Sequence, residues 1–359
     1  MVRLAENKHY SENKPTQSLP LPLKVYLPLI QHLGKMCNPE VKVGDTVSLG
    51  QKIASITAQV YAPIHASISG KVVAIQEWPH PVLGRAKAVV IEGDGQDNVA
   101  EFHLLDHQQI DKLTAQDLRK IVLDAGIVGM GGASFPTHIK LNPTKPLDTL
   151  IINGAECEPY LTADARLMVE KTSQISAGIA LIARCLGVKD IYIAIEQNKP
   201  EAIKAFSGAP GIKVKVLLSE YPQGGEKQLI QNILGKEVPR GKLPFDIGVL
   251  VLNVATVYAI YEAVYKGKPL IERIVTVTGS CLANPKNLIV RMGTPIKSLI
   301  EFCGPLKEEP AKIIIGGPMM GIAQYTDEVP IIKSSSGYLT QACASIKLAV
   351  KDQMAHITI

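Results

Sequence analysis

Residues 126–141 read GIVGMGGASFPTHIKL, with four glycines in the first seven positions and then Phe-Pro-Thr and a lysine. Glycines this dense remove Cβ atoms, so the backbone approaches closely whatever lies against it. The preceding segment, LTAQDLRKIVLDAG, reads as a helix. Thr114 and Asp117 form a capping-box start, Leu118, Ile121, Val122 and Ala125 recur at helical spacing, and Gly126 is a natural stop. A Rossmann fingerprint needs G-x-G-x-x-G after a strand. Here Gly129-Met130-Gly131-Gly132-Ala133-Ser134 follows a helix and carries serine in the third glycine slot. Lys140 lies too far from the glycines for a phosphate-binding P-loop. Two readings remain: a structural turn between helix and strand, and a glycine-lined wall for a flat anionic cofactor. In the second, Phe135 supplies an apolar face and Lys140 a cation.

Downstream of this stretch, DTLIINGAE, DIYIAIE, IKVKVLLSEY and IGVLVLNV read as strands. VEKTSQISAGIALIARCLG, PEAIKAFSG, EKQLIQNILG and ATVYAIYEAVYKG read as helices between and after them. That alternation over 112–268 predicts an α/β core with a largely parallel, Rossmann-like sheet. Upstream, residues 1–22 are polar and read as an arm. Residues 23–111 carry short strands with Gly-Asp and Ser-Gly turns. Their pattern V-x-V-G-D-x-V-x-x-G-Q-x-I resembles the hammerhead of biotinyl and lipoyl domains. Those domains present a modifiable lysine in a hairpin turn; here the turn His65–Gly70 has none, so a structural role is expected. Residues 269–335 read as a small α+β module, and 336–359 as a weakly patterned tail.

Net charge is +5 and the basic residues are scattered, which argues against nucleic acid. No apolar run reaches the ~18 residues of a membrane helix. The longest candidate, Ile247–Tyr261, carries Asn253 at its middle. The N-terminus has no signal-peptide core. The six cysteines, at 37, 157, 185, 281, 303 and 343, include no C-x-x-C pair, so no metal site is expected.

Four separated blocks, G-x-G-G-A-x-F-P-T-x-x-K, N-x-A-E-C-E-P, Y-P-Q-G-G-E-K and N-V-x-T, occur in this order. They resemble the flavin-binding subunits of NADH oxidoreductases: the NADH-binding subunit of respiratory complex I and, more closely, the RnfC family of Rnf ion-translocating electron-transport complexes. The resemblance spans roughly residues 23–340 and implies a β-grasp-like SLBB module after the flavin domain. It implies noncovalent FMN with NAD(H) stacked over it. Gly129, Gly131, Gly132 and Lys140 would hold the flavin edge and phosphate. Asn153, Glu156, Tyr221, Gly224, Asn253 and Thr256 would complete the flavin pocket. Phe135, Glu158 and Glu226 would face the nicotinamide nucleotide, with a carboxylate beside the ribose favouring NADH over NADPH.

The resemblance further implies hydride transfer between NAD(H) and flavin and electron exchange with iron–sulfur partners and, indirectly, ferredoxin. It implies peripheral attachment at the cytoplasmic face of the cell membrane, beside the membrane subunits of an ion-translocating complex. Family members continue into two C-x-x-C-x-x-C-x-x-x-C-P runs that bind [4Fe–4S] clusters. Residues 336–359 hold only Cys343, so the ligands for such clusters are absent from this sequence. Two alternatives stand beside this expectation: a cobalamin reductase of microcompartment type, and a non-catalytic docking subunit that has lost its electron relay. The hammerhead ahead of the flavin domain favours the Rnf reading.

Overall fold

In the computed structural model, residues 2–100, 102 and 104–342 are described. The apolar runs of the middle segment form a four-stranded parallel sheet. Its spatial order is Lys213–Leu217, Asp190–Glu196, Thr149–Gly154, Val249–Asn253. Leu150, Ile151 and Ile152 are wholly buried because helices cover both faces. On one face, Thr172–Leu186 packs against Val254–Lys266, with Ala115–Asp124 beside them. The helix Glu226–Leu234 covers the other face, with Leu229 and Ile230 packed on Ile151 and Val251. The chain runs outward from Thr149–Gly154 to one edge and then returns to its other side. Strand order therefore reverses between Thr149–Gly154 and Val249–Asn253, and a crevice opens at their carboxyl ends.

The expected helix start is present: the Thr114 hydroxyl accepts the Asp117 amide and the Asp117 carboxylate accepts the Thr114 amide. The Ile247–Tyr261 run is not one element. Asn253 ends a strand and caps the following helix, so the polar residue sits at a junction. Among the described residues no helix is long and apolar enough to cross a membrane.

The N-terminal module is β-rich. Lys24–Pro28, Gly84–Gly93, Gly70–His80 and Thr46–Val47 form one sheet, and Asn38–Pro39, Lys52–Ser55 and Ile64–His65 form another. The turn after His65 is packed inward: Ala66, Ser67 and Ser69 are buried, and Ser67 donates to the Met292 carbonyl at 2.5 Å. The C-terminal module is a six-stranded sheet built around Glu272–Gly279 and Lys286–Arg291, with the helix Ile296–Phe302.

Two segments lie differently from their composition. Residues read as a polar arm run along the body: Val2 pairs with Tyr221, Lys8 is buried, and Gln17–Ser18 adds an edge strand to the C-terminal sheet. Past residue 335, Gly337–Gln341 forms a strand parallel to Glu272–Gly279. The serines before it conceal a strand whose Tyr338 and Leu339 are fully buried. Cys343 lies outside the described residues.

Candidate functional site

Asn153 and Asn253 are register partners at the open end of the sheet. Asn253 Oδ1 accepts the Ala255 and Thr256 amides at 2.9 and 3.4 Å, capping a 13-residue helix. Its Nδ2 donates to Asp164 Oδ2 at 2.7 Å. Asn153 Oδ1 accepts the Ala155 amide at 3.1 Å, and Nδ2 donates to the Gly224 carbonyl at 3.0 Å. Both side-chain amides thus anchor loops to strand ends. Desolvation, then the Glu156 carboxylate, push Asp164 up to about 7, against the opposing pull of Asn253 and Arg273.

The glycine loop lies across the start of the capped helix, where the macrodipole presents its positive end. Met130 N donates to Thr256 Oγ1 at 2.9 Å, and Gly129 N to the Phe135 carbonyl at 2.8 Å. A Cβ at Gly131 would stand 3.3 Å from Asn253 Cβ, so glycine permits the close approach of loop to cap. Gly132 needs its freedom for another reason: its φ is +124° with open space around it. Ser134, in the third fingerprint slot, also takes a positive φ, and its carbonyl accepts the Leu33 amide from the N-terminal module.

Between loop and strand ends lies a cavity of about 540 Å³, inside the ~300–1,000 Å³ span of small-molecule sites. Gly129, Gly131, Phe135, Lys140, Asn153, Gly224, Glu226, Asn253 and Thr256 all line it. Inside it Lys140 Nζ donates to Glu226 Oε1 at 2.6 Å and to the Val251 carbonyl at 3.2 Å. The expected phosphate cation and the expected nucleotide-facing carboxylate are therefore paired with each other. The apolar lining includes residues that motif reading missed: Leu33, and Leu243 and Phe245 around the turn Pro244–Ile247. Their signal is slight, although Phe135 and Phe245 are two of only five phenylalanines in the chain.

Gly132, Glu156, Glu158 and Tyr221 do not line the cavity. Glu156 instead caps a helix, accepting the Asp164 and Ala165 amides at 2.7 and 3.1 Å. Glu158 reaches the C-terminal module, where it accepts the Met319 and Met320 amides at 3.1 and 2.8 Å. Desolvation raises its pKa, opposed by those amides. Tyr221 is half-buried beneath the N-terminal segment. Lys8, from that segment, donates to the carbonyls of Glu156, Glu158 and Leu161 at 2.9, 2.9 and 2.6 Å. Among the described residues no cluster of three or more His, Cys, Asp or Glu suits a metal ion, and the five described cysteines are unbridged.

Three family models match successive parts of the chain: the RnfC barrel sandwich hybrid domain over 2–96, the Nuo51 FMN-binding domain over 122–262 and the SLBB domain over 274–323. The RnfC-type subunit of the proton-translocating ferredoxin:NAD(+) oxidoreductase complex of Clostridium ljungdahlii is 49% identical, covering 93% of this chain and 74% of that protein. The chain belongs to the RnfC family. A second member, from the Na(+)-translocating ferredoxin:NAD(+) oxidoreductase complex of Acetobacterium woodii, is 44% identical, covering 93% of this chain and 77% of its own. A third, from the ion-translocating oxidoreductase complex of Rhodobacter capsulatus, is 42% identical, with coverage of 94% and 66%. These relatives place the chain with RnfC and not with the cobalamin reductases. The NAD+-reducing [NiFe]-hydrogenase in its air-oxidized state shares the fold, with a TM-score of 0.53 at 20% identity, over 71% of this chain and 54% of that one. As a member of the RnfC family, the chain carries its FMN-binding domain on the sheet and glycine loop described above.

Proposed function

We propose that this chain is the peripheral, FMN-bearing subunit of an ion-translocating NAD:ferredoxin oxidoreductase, acting at the cytoplasmic face of the membrane beside its Rnf partner subunits. The observation that carries this is the cavity at the point where strand order reverses, walled by a glycine loop laid over a capped helix start. Its residues fit FMN. The volume accommodates a small ligand, and Phe135 and Phe245 offer faces to a flat ring. The helix start and Lys140 favour an anionic end. When bound, FMN would supply the acceptor for a hydride from NADH and pass electrons on singly.

The chain's own residues bind and orient. Gly129, Gly131 and Gly132 bring the loop backbone close to the flavin, and Lys140 balances its phosphate. Thr256 holds the loop through Met130. Asn153, Gly224 and Asn253 fix the loops that frame the ring. Phe135 and Glu226 face the nicotinamide nucleotide, where a carboxylate accepts ribose hydroxyls and repels a 2′-phosphate, favouring NADH. Glu156, Glu158 and Tyr221 act from outside the cavity by setting the loop around residues 155–161. The test is FMN titration of the purified protein followed by NADH addition. The expected result is stoichiometric flavin binding and bleaching of its visible absorbance by NADH. No binding overturns the reading.

A further inference from the structure

The carbonyls along the glycine segment are held by the two flanking modules. The Ala125 carbonyl accepts the Leu270 amide at 2.9 Å, and the Ser134 carbonyl accepts the Leu33 amide at 3.0 Å. Between these, two buried cations of the C-terminal module hold two more. Lys333 Nζ donates to the Gly126 carbonyl at 2.7 Å and to Pro63, in the N-terminal module, at 2.6 Å. Arg273 donates through one nitrogen to the Lys333 carbonyl and through the other to the Met130 carbonyl at 3.4 Å. Lys333 is 1% exposed and Arg273 4%.

Burying a cation is costly, and an apolar side chain of similar volume often stabilises a core as well or better. Two cations aimed at loop carbonyls therefore specify position more than they add stability. A trans peptide points its N–H opposite to its C=O. Pinning the Met130 carbonyl fixes which way the Gly131 amide faces, at a residue that lines the cavity. The opposite side of the loop is fixed by Thr256 and by the contact of Gly131 with Asn253. We propose that Arg273 and Lys333 are positioning residues for the cofactor site. Through them the C-terminal module sets the orientation of the glycine-loop amides that receive the flavin. This rests on the reading of the cavity as an FMN site, and it gives the SLBB module a part in binding beyond packing.

The test compares Arg273→Gln, Arg273→Lys and Lys333→Met with Arg291→Gln. Arg291 joins Asp97 and Glu272 across the same modules without touching the loop. Two measurements are made: FMN affinity by fluorescence titration, and hydrogen exchange of the 126–135 peptide in ligand-free protein. R273Q and K333M should each lose about tenfold in FMN affinity, the scale of one charge-assisted hydrogen bond. R273K, which keeps the charge and loses the fork, should lose less and keeps the test open if R273Q does not fold. Exchange at 126–135 should rise in R273Q and K333M, while R291Q matches wild type in both measurements. Unchanged affinity and exchange in R273Q and K333M overturn the proposal. An equal loss in R291Q also overturns it, by showing general module coupling. Wild-type protein that binds no FMN overturns the flavin reading and the ligand part of this proposal; the exchange result still decides whether the two cations hold the loop.

Discussion

Lys140 Nζ stands 2.6 Å from Glu226 Oε1, and both side chains line the cavity beneath the glycine loop. Both are about one-third exposed, and pairs of that exposure contribute ~0–1 kcal/mol to stability. The pair therefore serves the ligand more than the fold. Lys140→Gln should weaken FMN binding by roughly tenfold or more, the loss of one charge-assisted contact, with little change in thermal midpoint. Glu226→Gln should raise KM for NADH, ease the discrimination against NADPH and leave FMN affinity nearly intact. Flavin titration and steady-state kinetics with both nucleotides separate the two effects.

Asn253 joins the cap of the central helix to Asp164. Asn253→Ala removes the cap, worth about 1 kcal/mol, and takes a hydrogen bond from a desolvated carboxylate, worth about as much again. The expected loss is about 2 kcal/mol in urea unfolding, with loss of FMN binding because the loop contact with Gly131 goes too. Asn253→Asp keeps the capping acceptor but sets a second carboxylate against Asp164. It should be at least as destabilised as the alanine variant near neutral pH and recover as pH falls.

Gly131 and Gly132 differ in what they permit. Gly131→Ala places a methyl 3.3 Å from Asn253 Cβ, so it should lift the loop and cut FMN affinity with a small change in stability. Gly132→Ala meets no atom within 4 Å but demands a positive φ of an L residue. It should cost ~1 kcal/mol or more in stability, read by denaturant titration of the ligand-free protein.

His65 and His32 are buried in the N-terminal module. Burial first, then the Lys333 ammonium, lower His65 to about 3 and His32 to about 4. Both folded values lie below the ordinary 6.5. The unfolded chain therefore binds more protons below that pH, and the stability these neutral rings contribute is present above pH ~6.5 and lost as pH falls toward 4. Each contributes a slope of up to ~1.4 kcal/mol per pH unit in that window. Urea midpoints measured between pH 7 and 5 should fall, and His65→Gln should flatten the decline.

The parts of the fold carried by local rules were legible in the sequence. The Thr114–Asp117 box and the alternating strands and helices each depend on neighbours within a few residues. Even the polar residue in the Ile247–Tyr261 run follows a local rule, since Asn253 ends a strand and caps a helix. The cavity lining from Gly129 to Thr256 was legible for the same reason, because its residues sit at strand ends and helix starts. Glu156, Glu158 and Tyr221 share blocks with cavity residues, yet they turn away from it. What draws them is distant in sequence: Lys8 and Val2 on one side, the Met319–Met320 amides on the other. Leu33 and Phe245 were missed because docking of another module and a proline-flanked turn bring them to the cavity. The serine-rich run before Gly337–Gln341 conceals a strand whose burial comes wholly from pairing with remote partners.

The central claim is that FMN sits in the crevice between Asn153 and Asn253. A crystal structure of the FMN-reconstituted protein tests it most directly. The account predicts a flavin between the Gly129–Phe135 loop and the end of strand Val249–Asn253, its phosphate within reach of Lys140 or the start of helix Val254–Lys266. A flavin bound elsewhere, or a crevice without flavin after reconstitution, would contradict it.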